Sequence, residues 1–246
     1  MKNLIYMHDE CLDKQVYRIF KKEHLLQLFK QEKNILAHPS KWDDPFENLL
    51  MKSKIQSEKS TLETEYPFHE NTYGQCWTLN SASDAMWRIY SPDFAGIRVR
   101  TTIRKLLSSI EAAHPPLGYM TSGIGKVQYW SQKKLIDFGL EIFSDLGIAN
   151  INIFKSLLIK RRAFSHEREV RLLYHDVFRR AKNSLYSYPV SPCELIDQLM
   201  LDPRLTAKEA ALLKDELFEV TGFPKGRIKR SLLYAVPEPL VFRISE

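Results

Sequence analysis

Glycine is scarce in this sequence, with 9 among 246 residues. Neither GxGxxG nor GxxxxGK[ST] occurs, so the phosphate-cradling loops of Rossmann and P-loop folds are excluded. Cysteine is scarcer still. Cys11, Cys76 and Cys193 are far apart, odd in number and without CxxC spacing, which excludes a disulfide framework or a zinc ribbon. That usage points to reduced thiols and a cytoplasmic location. No apolar run approaches the ~18 residues of a transmembrane helix. The stretch Met1–Glu10 turns polar too early for a signal-peptide core, so no membrane partner is expected. HExxH, His-x-His and GxSxG are missing too. A zinc hydrolase and a nucleophile-elbow esterase are thereby excluded, and no metal is expected.

Apolar residues at 44% and charged residues at 27% are ordinary for a chain that buries a core. Lys plus Arg exceed Asp plus Glu by 36 to 30, a formal charge of +6. The positive charge gathers in Lys160-Arg161-Arg162, Arg179-Arg180-Lys182 and Lys225-Arg227-Lys229-Arg230. Such runs usually form solvated faces, and they also permit contact with nucleic acid.

Strand patterns fall at Gln15–Phe20, Asn34–Ala37, Gly74–Leu79, Ala95–Arg100, Gly125–Trp130, Arg168–Tyr174, Ile196–Leu201 and Ile228–Tyr234. Helical patterns fall at Glu23–Lys30, after Asp44-Pro45, before Pro92, from Thr102 to Ile110, at Gln132–Leu146, at Ile151–Lys160 and at Thr206–Val220. Ser57–Asn71 is polar and aperiodic, which predicts a mobile loop. The elements follow no regular βαβ period. They predict one α+β domain over 1–246, with a mixed, mostly antiparallel sheet and flanking helices.

Phe164-Ser165-His166-Glu167-Arg168-Glu169-Val170-Arg171 is the densest candidate for chemistry. On a strand, Glu167, Glu169 and Arg171 share one face, and Val170, Leu172 and Tyr174 share the other. The plain reading is a solvent-facing Glu–Arg pair. The chemical reading is a pair of carboxylates at a reaction centre. Asp44 reads first as a helix cap. Trp87 and Tyr90 share a helix face, where core packing is the default for the tryptophan.

Six local patterns in order carry a resemblance over about 16–234. They are Val16-Tyr17-Arg18-Ile19-Phe20; Pro39 to Glu47 with its Asp44-Pro45-Phe46-Glu47; Gln75-Cys76-Trp77-Thr78 with Met86-Trp87-Arg88-Ile89-Tyr90-Ser91 and Gly96-Ile97-Arg98-Val99; Val127-Gln128-Tyr129; Phe164 to Arg171; and Leu201-Asp202-Pro203-Arg204 with Lys229 to Tyr234. Together they resemble the bacterial family of domain of unknown function 2971. Thr78 and Val170 depart from it mildly, where Ser and Trp are common in the family. More distantly, Glu167-Arg168-Glu169 followed by apolar residues looks like the Glu-x-Glu strand of ADP-ribosyltransferases. That likeness implies an ADP-ribosyltransferase-like fold and NAD as substrate. It implies Glu169 and Glu167 as catalytic, with Arg18 and Tyr17 on the first strand as NAD contacts. Thr78 or Tyr90 then serves as the second motif, with Trp87 beside Tyr90.

A carboxylate suits that chemistry, because breaking the nicotinamide–ribose bond develops positive charge on the ribose. The second carboxylate can orient or deprotonate the acceptor. The expected function is a bacterial toxin or defence effector that modifies a macromolecule. Nucleic acid is the acceptor suggested by the basic runs, and an antitoxin or inhibitor protein is a further partner. Two alternatives stay open: a non-enzymatic nucleic-acid-binding module, and a metal-free nuclease or hydrolase using Glu167, Glu169 and Asp44.

Overall fold

The computed structural model describes residues 3–42, 44, 54–56, 63–65, 70–114, 117, 120–144 and 150–235. The strands are β1 (Leu4–Ile5), β2 (Gln15–Phe20), β3 (Lys33–Ala37), β4 (Lys54–Gln56), β5 (Glu63–Glu65), β6 (Thr72–Thr78), β7 (Ile97–Thr102), β8 (Ser122–Lys126), β9 (Gln128–Trp130), β10 (Ile159–Arg161), β11 (Glu169–His175), β12 (Leu185–Pro189), β13 (Gln198–Leu201) and β14 (Ile228–Arg230). The helices are α1 (Lys22–Gln31), α2 (Asp84–Tyr90), α3 (Ile103–Ala113), α4 (Gln132–Ser144), α5 (Asn150–Ser156), α6 (Pro192–Leu195) and α7 (Ala207–Thr221). The expected helix after Asp44-Pro45 and most of the expected loop Ser57–Asn71 lie outside the described residues.

One sheet dominates, in the order β1-β8-β11-β6-β2-β7-β13-β14. Its outermost pairs, β1–β8 and β13–β14, are parallel, and the pairs between them are antiparallel. The fold is therefore α+β with a mixed, mostly antiparallel sheet, as the element pattern predicts. β6 branches: Thr78 pairs with Tyr17 of β2, and Gly74 pairs with Ala37 of β3, which carries β12 on its far side. The wedge between the two branches is filled by polar side chains rather than by a ladder. Arg18 donates from Nη1 to the Cys76 carbonyl at 2.7 Å. Gln75 donates to Asn34 at 2.8 Å and to the Ile35 carbonyl at 3.1 Å.

Successive residues of β11 divide between the two faces of the sheet. Val170, Leu172 and Tyr174 join the main core, where α3 and α7 contribute Leu106, Ile110 and Leu217. Leu173 joins a smaller cluster with Phe154, Leu157 and Leu158 from α5 and the turn after it. Glu169 and Arg171 therefore lie on a covered face. They are 6% and 0% exposed, which sets aside the plain reading of a solvent-facing Glu–Arg pair.

Three further elements differ from expectation. Glu167 ends a 3₁₀ helix (Arg162–Glu167), and Arg168 follows with φ 47°, so the Glu-x-Glu segment is a turn leading into a strand. The helix expected over Ile151–Lys160 stops at Ser156, and Ile159–Arg161 instead pairs in parallel with β9. The strand expected over Gly125–Trp130 is two strands, because Val127 is turned to donate its N–H to the Glu169 carbonyl at 3.0 Å. Among the described residues no helix is long and apolar enough to cross a membrane.

Candidate functional site

β11 places Glu169 at its first residue, directly opposite Thr78 of β6, which in turn stands opposite Tyr17 of β2. A row across three strands thus joins the expected catalytic residue to two of the expected NAD contacts. The turn before β11 brings Glu167 to the same place. Thr78 donates from Oγ1 to the Glu167 carbonyl at 2.5 Å, and Asn80 donates to the His166 carbonyl at 2.7 Å. With Arg168 in the left-handed region, the chain reverses sharply enough for both carboxylates to face one ammonium.

That ammonium belongs to Lys160 of β10. Its Nζ lies 2.5 Å from Glu167 Oε2 and 3.9 Å from Glu169 Oε1. All three side chains are buried. Glu169 is fixed from its other oxygen: Arg171 donates to Oε2 from Nη2 at 2.6 Å and from Nε at 3.0 Å. Arg171 also donates to the Leu157 carbonyl at 2.6 Å and lies over the Trp42 ring at 4.4 Å. Glu169 Oε1 makes no hydrogen bond among the described residues. Two buried carboxylates with two buried cations form a network in which each charge is compensated, as burial requires.

Two phenols complete the cluster. Tyr90, at the end of α2, donates its hydroxyl to Glu167 Oε1 at 3.3 Å, and the residue is 40% exposed. Tyr129 accepts the Glu169 N–H at 2.8 Å. Burial and the neighbouring carboxylates push both phenols well above the usual tyrosine range, so each stays protonated and able to donate.

Arg18 lies within electrostatic reach of Tyr90 and Glu169. Burial lowers its pKa, and those neighbours oppose the shift; a guanidinium remains cationic regardless. Tyr17, Arg18, Thr78, Ser83, Trp87 and Arg98 line a small cleft beside the cluster. The expected NAD contacts Arg18, Tyr17, Thr78 and Trp87 are thus neighbours of one opening. Their surfaces differ. Trp87 is 1% exposed and packs into the core, Tyr17 donates its hydroxyl to Gln15, and the Thr78 hydroxyl is engaged with the Glu167 carbonyl. Asp44 binds Arg161 at 2.9 Å rather than joining the carboxylate pair. No group of three or more His, Cys, Asp or Glu side chains suited to a metal is gathered among the described residues.

Sequence reasoning does not single out Lys160 or Tyr129. Lys160 opens a basic run and reads there as surface. The signal against that reading is the apolar Leu157-Leu158-Ile159 immediately before it, which anchors β10 and carries Lys160 inward.

The C-terminal end of α2, and with it Tyr90, is held by a second ionic network. Asp202 accepts Ser91 Oγ at 2.7 Å and Arg204 Nη2 at 2.6 Å. Arg204 also donates to the Ser91 carbonyl and, at 3.3 Å, to the Trp87 carbonyl, which accepts the Ser91 N–H as well, so the end of the helix is tied to the Asp202–Arg204 pair. Gly96 donates to Ser91 Oγ at 2.9 Å, and a Cβ there would meet Ser91 Cβ at 2.6 Å, so only glycine fits. Burial alone would raise the Asp202 pKa. The hydrogen bonds from Arg204 and Ser91 outweigh it and hold the carboxyl below its usual range. A depressed folded pKa contributes stability above the unfolded value of about 3.9 and loses it as pH falls through the folded value. Asp202→Asn is therefore expected to lower stability by about 2 kcal/mol at pH 7. The gap from wild type should begin to narrow below about pH 4 and close only below the depressed folded value. Thermal melting from pH 3 to 7 checks this, and a gap that stays constant with pH would rule out the charge as its source.

No curated protein matches the chain. Among solved structures it is similar to Thermus sp. 2.9 DarT in complex with ADP-ribosylated ssDNA, with a TM-score of 0.41 and 11% identity over 93% of this chain and 97% of that one. It is similar likewise to Thermus sp. 2.9 DarT in complex with NAD+, with a TM-score of 0.40 and 12% identity over 92% and 97%. Over residues 86–172, which include Tyr90, Lys160, Glu167, Glu169 and Arg171, the chain matches the family described as protein of unknown function (DUF2971).

Proposed function

We propose that the carboxylate cluster cleaves the nicotinamide–ribose bond of NAD and transfers the ADP-ribosyl group to a macromolecular acceptor. The observation that carries the reading is the convergence of Glu167, Glu169 and the Tyr90 phenol beside the Arg18 cleft. Bond cleavage sends the glycosidic electron pair to nicotinamide, which leaves neutral, and positive charge develops at the ribose C1′. Glu169 Oε1 is the acceptor atom that can stabilise that charge, while Arg171 keeps the carboxylate from rotating away. The attacking group of the acceptor forms the new bond to C1′ and gives its proton to Glu167, with Tyr90 and Lys160 orienting that carboxylate. Arg18 suits the pyrophosphate. The exposed Tyr90 ring offers a stacking face. The basic runs favour nucleic acid as acceptor. A toxin or defence enzyme of this kind would need restraint in its own cytoplasm, which motivates an antitoxin or inhibitor protein as partner.

The test is incubation of the purified protein with NAD labelled in the adenylate and, separately, in nicotinamide. Nicotinamide release and label transfer to single-stranded DNA or RNA are expected; release without any acceptor labelled would reduce the reading to hydrolysis, and no release would end it. Tyr90→Phe should slow transfer to the acceptor about tenfold or more, and nicotinamide release less, since it deletes a hydrogen bond to the Glu167 carboxylate. Thr78→Val should act through stability, by freeing the Glu167 carbonyl. An equal loss of turnover in a stably folded Thr78→Val protein would shift the second motif to Thr78.

A second reading has its own support in the ion pairs: Glu167 and Glu169 are both held by buried cations, as purely structural carboxylates are. A binding module built this way would retain nucleic acid in a salt-dependent manner with either glutamate replaced, and would leave NAD intact.

A further inference from the structure

The run Arg179-Arg180-Lys182 lies apart from the carboxylate site, on the connection between β11 and β12. Glu169 begins β11 and His175 ends it, so six extended steps, about 20 Å, separate the carboxylates from the start of this connection. The connection is an ordered turn. Asp176 is fully buried and accepts the Ala181 N–H at 2.8 Å through Oδ2, while its own N–H donates to the Asn71 carbonyl at 2.7 Å. Lys182 and Leu185 exchange two 2.9 Å backbone hydrogen bonds across Asn183-Ser184. Both of these central residues have positive φ, as a tight two-residue hairpin demands.

Phe178, Arg179, Arg180 and Lys182 all reach the surface. Phe178 is 55% exposed, with the Arg180 guanidinium 4.7 Å from its ring centroid. None of the three cations has a carboxylate partner among the described residues, and no Asp or Glu occurs from 177 to 193. By contrast, Arg161, Arg171, Arg204 and Lys225 each pair with a carboxylate. Three cations without an ion-pair partner among the described residues, around an exposed ring, match a polyanion that also carries flat apolar surfaces. Phosphates answer the cations, and an unpaired base answers the ring. A duplex keeps its bases stacked and offers the ring nothing, and an acidic polypeptide supplies charge without bases. We infer that the turn at 177–182 is a docking surface for single-stranded nucleic acid, with phosphates on Arg179, Arg180 and Lys182 and a base stacked on Phe178. Binding there requires no NAD, so it stands or falls separately from the transfer reaction.

The test is fluorescence anisotropy of the full chain with a labelled single-stranded oligothymidylate of about 16 nucleotides, titrated over a range of salt. Arg179→Ala/Arg180→Ala/Lys182→Ala should weaken binding and flatten the log–log salt slope by about 2, at roughly 0.7 for each phosphate no longer neutralised. Phe178→Ala should weaken binding roughly 5- to 100-fold with the slope unchanged, and Phe178→Trp should restore it. Lys133→Ala/Lys208→Ala, at exposed lysines outside the basic runs, should bind as wild type. Unchanged melting temperatures establish that the variants are folded. Wild-type affinity and slope in the triple variant would overturn the inference. So would an unchanged Phe178→Ala affinity, or competition by polyglutamate or by duplex DNA as effective as that of the single strand.

Discussion

Glu169→Gln is expected to reduce nicotinamide release by about two to three orders of magnitude, the usual consequence of removing one preorganised electrostatic interaction with a transition state. The substitution keeps an oxygen able to accept from Arg171 and keeps the side chain's size. What it removes is the negative charge facing the ribose. Because that charge matters most when positive charge develops on the sugar, NAD affinity should change far less than turnover. The buried setting adds a second consequence. Lys160 at 3.9 Å and Arg171 at 2.6 Å both lose part of their counter-charge, so some stability is lost along with the rate. The two effects separate by measuring NAD binding calorimetrically, turnover and melting temperature on the same preparation. Glu167→Gln is the matched control: it should impair transfer to an acceptor more than it impairs NAD hydrolysis. Full turnover in a folded Glu169→Gln protein would remove the chemical core of the proposal.

The strands that carry their own periodicity are legible in the sequence. Gln15–Phe20 has the expected ends, and Val170, Leu172 and Tyr174 all turn to one core as a period of two requires. Thr102 caps α3 at the expected start of that helix, and Ser83 caps α2. The differences share a cause, which is that local pattern says nothing about what covers a face. Glu169 and Arg171 alternate with apolar residues and so read as solvated, yet Lys160 of β10, Leu157 and Trp42 cover them. Lys160 reads as the end of a helical stretch and the start of a basic run. It becomes buried because Leu157, Leu158 and Ile159 commit the chain to the covered side of the sheet. Strand β12 is hard to read because Leu185-Tyr186-Ser187-Tyr188-Pro189 is short and flanked by turn residues, and its partner is the distant β3. The branching of β6 is equally invisible from sequence, although it creates the wedge that Arg18 fills. The pairing of Glu167 with Glu169 is legible as spacing, but its geometry depends on the left-handed Arg168, a conformation that no residue type there announces.

Arg171 is where loss of stability should be greatest. It is completely buried, its guanidinium makes two hydrogen bonds to Glu169 and one to the Leu157 carbonyl, and it lies on Trp42. Arg171→Met fills similar space with an apolar chain but leaves the Glu169 carboxylate short of a partner and the Leu157 carbonyl without this donor. Removing one member of a buried ion pair typically costs about 3–5 kcal/mol. In a chain of this size each kcal/mol moves the melting temperature by about 2–4 °C, so a fall on the order of 10 °C is expected. Arg171→Lys should fall in between, because it restores the charge without the planar fork that reaches both acceptors. The double variant Glu169→Gln/Arg171→Met is the informative one. It removes the stranded carboxylate together with its partner, so its loss should be smaller than the sum of the single losses by about 1–3 kcal/mol. Additive losses would show that the two side chains are independently placed, and Arg171 would then be a packing residue rather than the strut that aims Glu169.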